Sequence, residues 1–189
     1  MNAEVKRLQN DQDRGRSIAA LGAFSSPRTF DTREFRRALG CFPTGVAIIT
    51  TSDANGRPVG LTCNSFSSVS LDPPLVLWSL RKQSKLLPAF LDHPAFAVNL
   101  LTDDQSELSA RFASGAIEDK FAGVPYTVAD GGAPLLTDCL ARFHCREFAR
   151  HEAGDHVVFI GEVDHFDQGR GEGALVYYRG AYKMLAEPA

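Results

Sequence analysis

"TCNSFSSVSLDPP", residues 62–74, is the stretch on which the reading of the whole chain turns. Ser65, Ser67, Ser68, Ser70 and Asn64 stand among β-forming residues, and the run ends at Pro73–Pro74. A strand that served only a core would carry branched apolar side chains where these short hydroxyls stand. Taken as one strand over 62–70, its side chains divide by parity. Asn64, Phe66, Ser68 and Ser70 then share one face, and Cys63, Ser65, Ser67 and Val69 the other. Neither face is apolar, so the segment is either an exposed sheet edge or the lining of a site. Serine hydroxyls and backbone N–H groups suit a phosphate monoester, which wants several short donors at close range. Asn64 carries both a donor and an acceptor, which fits the alternating edge of a pyrimidine-like ring.

The surrounding sequence is rich in strands. "TGVAIITTSDANGRPVGLTCNSF" (44–66) reads as a hairpin, with Asn55–Gly56 supplying the turn. Further strands are expected at 74–80 and 96–101, followed by three β segments at 139–150, 156–166 and 174–185. Helices are expected at 31–42, capped by Asp31 with Phe35, Leu39 and Phe42 as an apolar stripe, and at 84–93. A third, at 102–113, opens on a Thr102–Gln105 capping box. Residues 115–138 are rich in Gly, Pro and Asp and read as loop. Six or seven strands that do not alternate with helices predict a mainly β protein, an antiparallel β-barrel decorated by helices. Residues 1–29 read as an N-terminal arm, poorly ordered, ahead of one domain at 30–189.

Composition removes several classes of function. The 189 residues are 44% hydrophobic and 23% charged, enough for a core without a metal or disulfide staple. A net charge of −3 argues against a nucleic-acid backbone as partner. No apolar run has the roughly 18 residues of a membrane span. The first seventeen residues lack the apolar segment of a secretory signal, so a cytoplasmic protein is expected. Cys41, Cys63, Cys139 and Cys145 form no CxxC pair and read as reduced thiols filling the interior. His151–Glu152 followed by His156 suggests a zinc protease, but the histidines are five apart, not the four that share a helical face. No metal is expected.

Two neighbouring stretches favour a lining over a bare edge. Pro43, Thr44, Gly45 and Val46 open the first strand, and Gly45 lets a flat ligand approach the backbone without a Cβ between. Arg81, Lys82, Ser84 and Lys85 follow the strand at 74–80; if Ser84 starts a helix, its N–H groups and the local cations form a second anion site.

"FPTGVAIITT", "GLTCNSFSSVSLDPPLVLWSL", "FAVNLL", "LSARFA", "GDHVVFIGEV" and "YYRGAYKML", in that order, resemble the flavin reductase-like, FMN-binding split-barrel family over about 31–185. Within it the chain is similar to the small reductase components of two-component flavin-dependent monooxygenases. The resemblance implies that Thr44, Gly45, Val46, Asn64, Ser65, Ser68 and Ser70, with adjoining Pro43 and Val69, line the flavin. It implies Lys82 and Ser84 for the phosphate and Phe112 near the same tail of the cofactor. Cys63 stands where the family usually has a small residue such as alanine, which leaves its role open. The GDH turn implies that His156 contacts the nicotinamide nucleotide. Tyr182 is a second candidate on that side, equally readable as an inward aromatic of the last strand. Asp155 is expected to shape the turn, and Trp78 and Phe121 to serve a core or a dimer contact.

What the resemblance implies about activity is hydride transfer from NADH or NADPH to FMN or FAD, with reduced flavin passed to a partner monooxygenase. Such chemistry belongs to the cofactor, so no Ser–His–Asp triad or carboxylate pair is required, and none is legible. A homodimer, with each chain completing the other's pocket, is implied as well. The competing readings are a carrier or store that holds FMN tightly and an oxidase of the pyridoxamine-phosphate type. The latter grips FMN mainly with Arg and Lys, unlike "NSFSSVS". No cationic cluster that would select a 2′-phosphate is legible.

Overall fold

A computed structural model describes residues 31–114, 120–169, 171 and 173–185; the arm expected at 1–29 lies outside them. The hairpin around Asn55–Gly56 forms where it was expected. After the two-residue strand β1 (Thr44–Gly45), β2 (Ala47–Ser52) pairs antiparallel with β3 (Pro58–Cys63), and Gly56 takes a φ of 73° in the turn. Every residue of β2 is buried, which places this strand inside the sheet instead of at its rim.

Five more strands complete the main sheet: β4 (Ser67–Leu71), β5 (Pro74–Arg81), β6 (Ala95–Leu100), β9 (Ala141–Ala153) and β10 (His156–Gln168). Their order is β3-β2-β6-β9-β10-β5-β4, antiparallel throughout. The two edges, β3 and β4, are joined by only residues 64–66. Laid flat, six inter-strand spacings would hold the edges about 29 Å apart, whereas four Cα–Cα steps reach at most about 15 Å. The sheet must therefore curl until its edges meet, which makes it a barrel. Ser65 stitches the seam: its Oγ accepts from the Ser79 N–H at 3.0 Å and lies 3.4 Å from the Ser79 carbonyl.

Two apolar clusters fill the barrel and its flank. Trp78 centres the first, stacked on Phe159 with centroids 4.7 Å apart and edge-on to Phe90 at 4.9 Å and Phe96 at 5.7 Å. Gly161 permits this packing, since a Cβ there would stand 2.4 Å from the Phe96 ring. The second cluster gathers Val46, Ile48, Leu101, Phe112, Leu136 and Leu175. Asn99, fully buried on β6, donates to the Ile48 carbonyl and to Thr50 Oγ1 and accepts from the Leu136 N–H at 2.8 Å.

Around the barrel lie the hairpin β7 (Tyr126–Val128) with β8 (Pro134–Leu136), and β11 (Val176–Tyr178) with β12 (Ala181–Lys183), which adds to β1. Helix α1 (Thr32–Leu39) begins as expected, with Asp31 Oδ1 accepting from the Arg33 N–H at 2.8 Å. Helix α2 (Leu87–Asp92) and helix α3 (Ser106–Ser114) follow; Gln105 Oε1 accepts from the Thr102 N–H, but the pair closes a turn ahead of α3, which starts at Ser106 and not at 102 as expected.

Several expectations change. The serine segment is not one strand over 62–70: the chain leaves β3 at Cys63, crosses the seam and re-enters the sheet at Ser67. A bulge at Val69 further breaks its alternation, so parity does not sort its faces. Ser84 does not begin a helix; it ends a turn with its Oγ accepting from the Leu86 N–H, and α2 starts at Leu87. The described residues hold twelve strands, because the short hairpin at 126–136 escapes a strand count based on apolar alternation and the β segment expected at 174–185 is a hairpin of two strands.

Candidate active site

A cleft of about 680 Å³ opens where the seam of the barrel meets the C-terminal end of α3. One part of its lining is the end of β3 and the crossing segment, with Thr62, Cys63, Asn64 and Ser65. A second comes from β5 and the turn after it, with Ser79, Arg81, Gln83, Ser84 and Lys85. Phe112, Lys120 and His156 complete it. Arg81, Lys85 and Lys120 bring three cations to a lining that contains no Asp or Glu among the described residues, in a chain whose net charge is −3. That concentration of one sign makes the cleft attractive to anions.

Local structure explains each position. Gly60 on β3 lets α3 approach: a Cβ there would stand 2.9 Å from Phe112 Cε1, so only glycine admits the Phe112 ring against the strand. Thr62 Oγ1 donates to the Ser109 carbonyl at 2.6 Å and fastens the helix to the same strand. Lys120, 6% exposed, donates from Nζ to the Phe112 carbonyl at 2.8 Å and to the Gly60 carbonyl at 3.3 Å. Burial pulls its pKa below the usual lysine range. Cys63 is buried, and desolvation raises its thiol pKa, so it is a packed thiol and not a thiolate.

His156 begins β10 opposite Arg81, just after the turn at Gly154–Asp155. Its Nδ1 lies 2.7 Å from Asp155 Oδ1, and this hydrogen bond holds the Asp155 carboxyl below its ordinary value. A carboxylate only accepts, so Nδ1 carries the proton and Nε2 is left for a ligand. The Lys82 N–H also bonds the Asp155 carbonyl at 2.9 Å, tying this turn to the end of β5.

Of the residues singled out in the sequence, Cys63, Asn64, Ser65, Ser84, Phe112 and His156 meet in this cleft. Gly45 and Val46 line a separate apolar hollow of about 150 Å³, together with Phe66. The space a Cβ would take at Gly45 is open. Thr44 Oγ1 is sequestered without a hydrogen-bond partner. Pro43 is exposed beside it. The crossing segment 64–66 thus touches both cavities, through Asn64 and Ser65 on one and Phe66 on the other. Ser68, Val69 and Ser70 lie on the edge strand β4 and outside both. Ser70 is engaged locally, its Oγ bonded to the Asp72 backbone. Lys82 turns to Glu152 at 2.7 Å, and Tyr182 bonds Ser109 Oγ at 2.8 Å.

Sequence reasoning missed Lys120 altogether. Inside "EDKF", in a stretch without periodicity, a lysine reads as solvated surface. Ser79 and Gln83 were equally silent, because only closure of the barrel brings them beside the crossing segment, and Thr62 reads as an ordinary strand residue.

A curled antiparallel sheet with a cation-lined cleft at its seam suits the binding of a phosphorylated cofactor. The chain belongs to the flavin reductase like domain family, whose model matches residues 39–186. It is 48% identical over 133 residues, 70% of this chain and 75% of the other, to FMN reductase (NADH) SmoA of Agrobacterium fabrum. It is 45% identical over 152 residues, 80% of this chain and 77% of the other, to the flavin-dependent monooxygenase reductase subunit HsaB of Rhodococcus jostii. A solved relative, the NADH:FAD oxidoreductase SgcE6 of Streptomyces globisporus in complex with NAD and FAD fragments, superposes with a TM-score of 0.78 at 33% identity, over 89% of this chain and 99% of that one. Other relatives are longer, and the chain spans about half their length.

Proposed function

We propose that this protein is an NAD(P)H:flavin oxidoreductase of the EC 1.5.1 type, which reduces FMN or FAD at the expense of NADH and supplies reduced flavin to a separate monooxygenase. The observation that carries the reading is the cleft at the barrel seam, cation-lined and free of carboxylates among the described residues. Its volume falls within the roughly 300–1,000 Å³ usual for small-molecule sites, and its cations and short donors fit a phosphorylated flavin.

When bound, flavin supplies the hydride acceptor. The chain supplies binding and orientation. Asn64 offers a donor and an acceptor to the ring edge, and the Phe112 ring packs the inner end. Ser84, Arg81 and Lys85 face the phosphorylated side chain. His156, oriented by Asp155, presents Nε2 to the nicotinamide nucleotide. Holding the two substrates in register accounts for most of the rate such a reaction needs. No side chain has to give up or take a covalent bond.

On this reading the working unit is a homodimer, and Pro43, Thr44, Gly45, Val46, Ser68, Val69, Ser70, Lys82 and Tyr182 approach the ligand where a second copy completes the pocket. The catalytic domain is residues 30–189, preceded by an arm, and the protein works in the cytoplasm, where NADH is regenerated.

The test is NADH and NADPH oxidation with added FMN, FAD and riboflavin, followed by gel filtration. Rapid NADH turnover with flavin that exchanges freely is expected. Negligible oxidation with flavin retained on the column would identify a tight-binding carrier instead. His156→Ala is expected to raise the KM for NADH while leaving that for flavin nearly unchanged; unaltered NADH kinetics would remove His156 from the site.

A further inference from the structure

We infer that Lys120 is a phosphate-binding residue, its one uncommitted N–H and its charge directed to a phosphate ester held in the cleft. The inference rests on the function proposed above and adds a residue that the sequence pattern does not reveal.

An ammonium has three N–H donors. Two of those on Lys120 go to the carbonyls of Phe112 and Gly60, which leaves one, on a side chain that lines the cleft. Both acceptors are neutral. No carboxylate among the described residues forms an ion pair with Lys120, whereas six other basic side chains do find acidic partners.

The alternative role is a helix cap. Phe112 sits in the last turn of α3, where carbonyls lack intrahelical partners, and a lysine there satisfies one of them. Capping does not require burial, however: an exposed lysine caps equally well and keeps its hydration. At 6% exposure Lys120 gives up most of its water and gains no counter-charge among the described residues. A buried unpaired cation is costly to maintain, and an arriving anion removes that cost. Arg81 and Lys85 reach the same cleft from the β5–α2 turn, so a phosphate would be held by cations from two separate parts of the chain. The depressed pKa of Lys120 is consistent with a charge awaiting its partner.

Flavin and nicotinamide nucleotide both carry phosphate, and equilibrium binding separates them. Lys120→Gln keeps donors for the two carbonyls while deleting the charge; Lys120→Met deletes both, and Lys120→Arg keeps the charge. Dissociation constants would be measured by flavin fluorescence quenching and calorimetry for FMN, riboflavin, NADH and reduced nicotinamide riboside, with thermal melts to establish folding. For Lys120→Gln we expect FMN affinity to fall about tenfold or more, riboflavin affinity to stay within about twofold, and Lys120→Arg to recover most of the loss. A fall confined to NADH, with the riboside spared, would assign the phosphate to the nucleotide and leave the inference standing. Equal losses for the phosphorylated and unphosphorylated ligand, or no loss in either pair, would reduce Lys120 to a helix cap. Should Lys120→Gln not fold, Lys120→Met read the same way decides. If wild-type protein bound neither flavin nor nucleotide, the function itself would fall; binding by wild type with no selective loss in the variants would sink only the role of Lys120.

Discussion

Asn99 and Lys120 are both buried polar side chains, and they are satisfied to different degrees. Asn99, at the middle of the barrel wall, commits its amide to Ile48, Thr50 and Leu136. Lys120, at the seam, makes two bonds of a possible three and has no counter-charge among the described residues. Around Asn99 the polar groups close on one another: Leu136, whose N–H it binds, also gives its carbonyl to Arg142, which forks onto Asp167 at 2.8 and 2.6 Å. A closed network fixes strands in register; an open one is available to a ligand.

The sharpest way to break the comparison is to open the closed network. Asn99→Leu leaves the Leu136 N–H unsatisfied in the interior, removes the side-chain bonds to Ile48 and Thr50, and is expected to cost about 3 kcal/mol. Urea unfolding measures this, and the folded fraction should bind FMN with unchanged affinity. A selective loss of FMN affinity would erase the distinction between the two regions.

Gly60→Ala comes next, because it strikes both. Its Cβ would displace the Phe112 ring from 2.9 Å and disturb the carbonyl that holds Lys120. A loss of about 1–3 kcal/mol in stability is expected from overpacking, accompanied here by weaker FMN binding. Stability lost without any change in affinity would show that the cleft does not depend on how α3 seats on β3.

The smallest effect is expected at the rim of the closed network. The Asp167 carboxyl is held below its ordinary value of 3.8 by its hydrogen bonds to Arg142. A depressed folded-state pKa means stability that is present above 3.8 and fades as pH falls below it, through the folded-state value. Since the pair is partly exposed, Asp167→Asn should cost only about 1 kcal/mol near neutral pH. The difference in melting temperature from wild type should shrink in more acidic buffer. A difference that grew with acidity would reverse the sign assigned to this pair.

Much of the fold was legible because it is local. Gly56 takes a φ that few other residues accept, so the turn of the first hairpin could be placed from sequence. Asp31 sets a helix start through a bond spanning two residues, whereas the Thr102–Gln105 bond closes a turn and α3 begins only at Ser106. The hairpin at 126–136 escaped because three-residue strands carry too little alternation to register, and for the same reason the β segment at 174–185 was not resolved into two strands. The single strand expected over 62–70 failed for a different reason. Ser65, Ser67 and Ser70 spend their hydroxyls on backbone, Ser65 across the seam and the others within two residues, and nothing in composition distinguishes a stitching serine from a ligand-binding one.

By itself the sequence determined the family, the antiparallel class and half of the cleft. Turns, caps and the "TCNSF" and "GDH" stretches act over a few residues and keep their meaning wherever they occur. Only the tertiary structure decided which cations share a cavity and which serines do not. Arg81 and Lys120 stand 39 positions apart. They share a cleft because a three-residue crossing forces a seven-stranded sheet to close, and closure is a property of the whole chain.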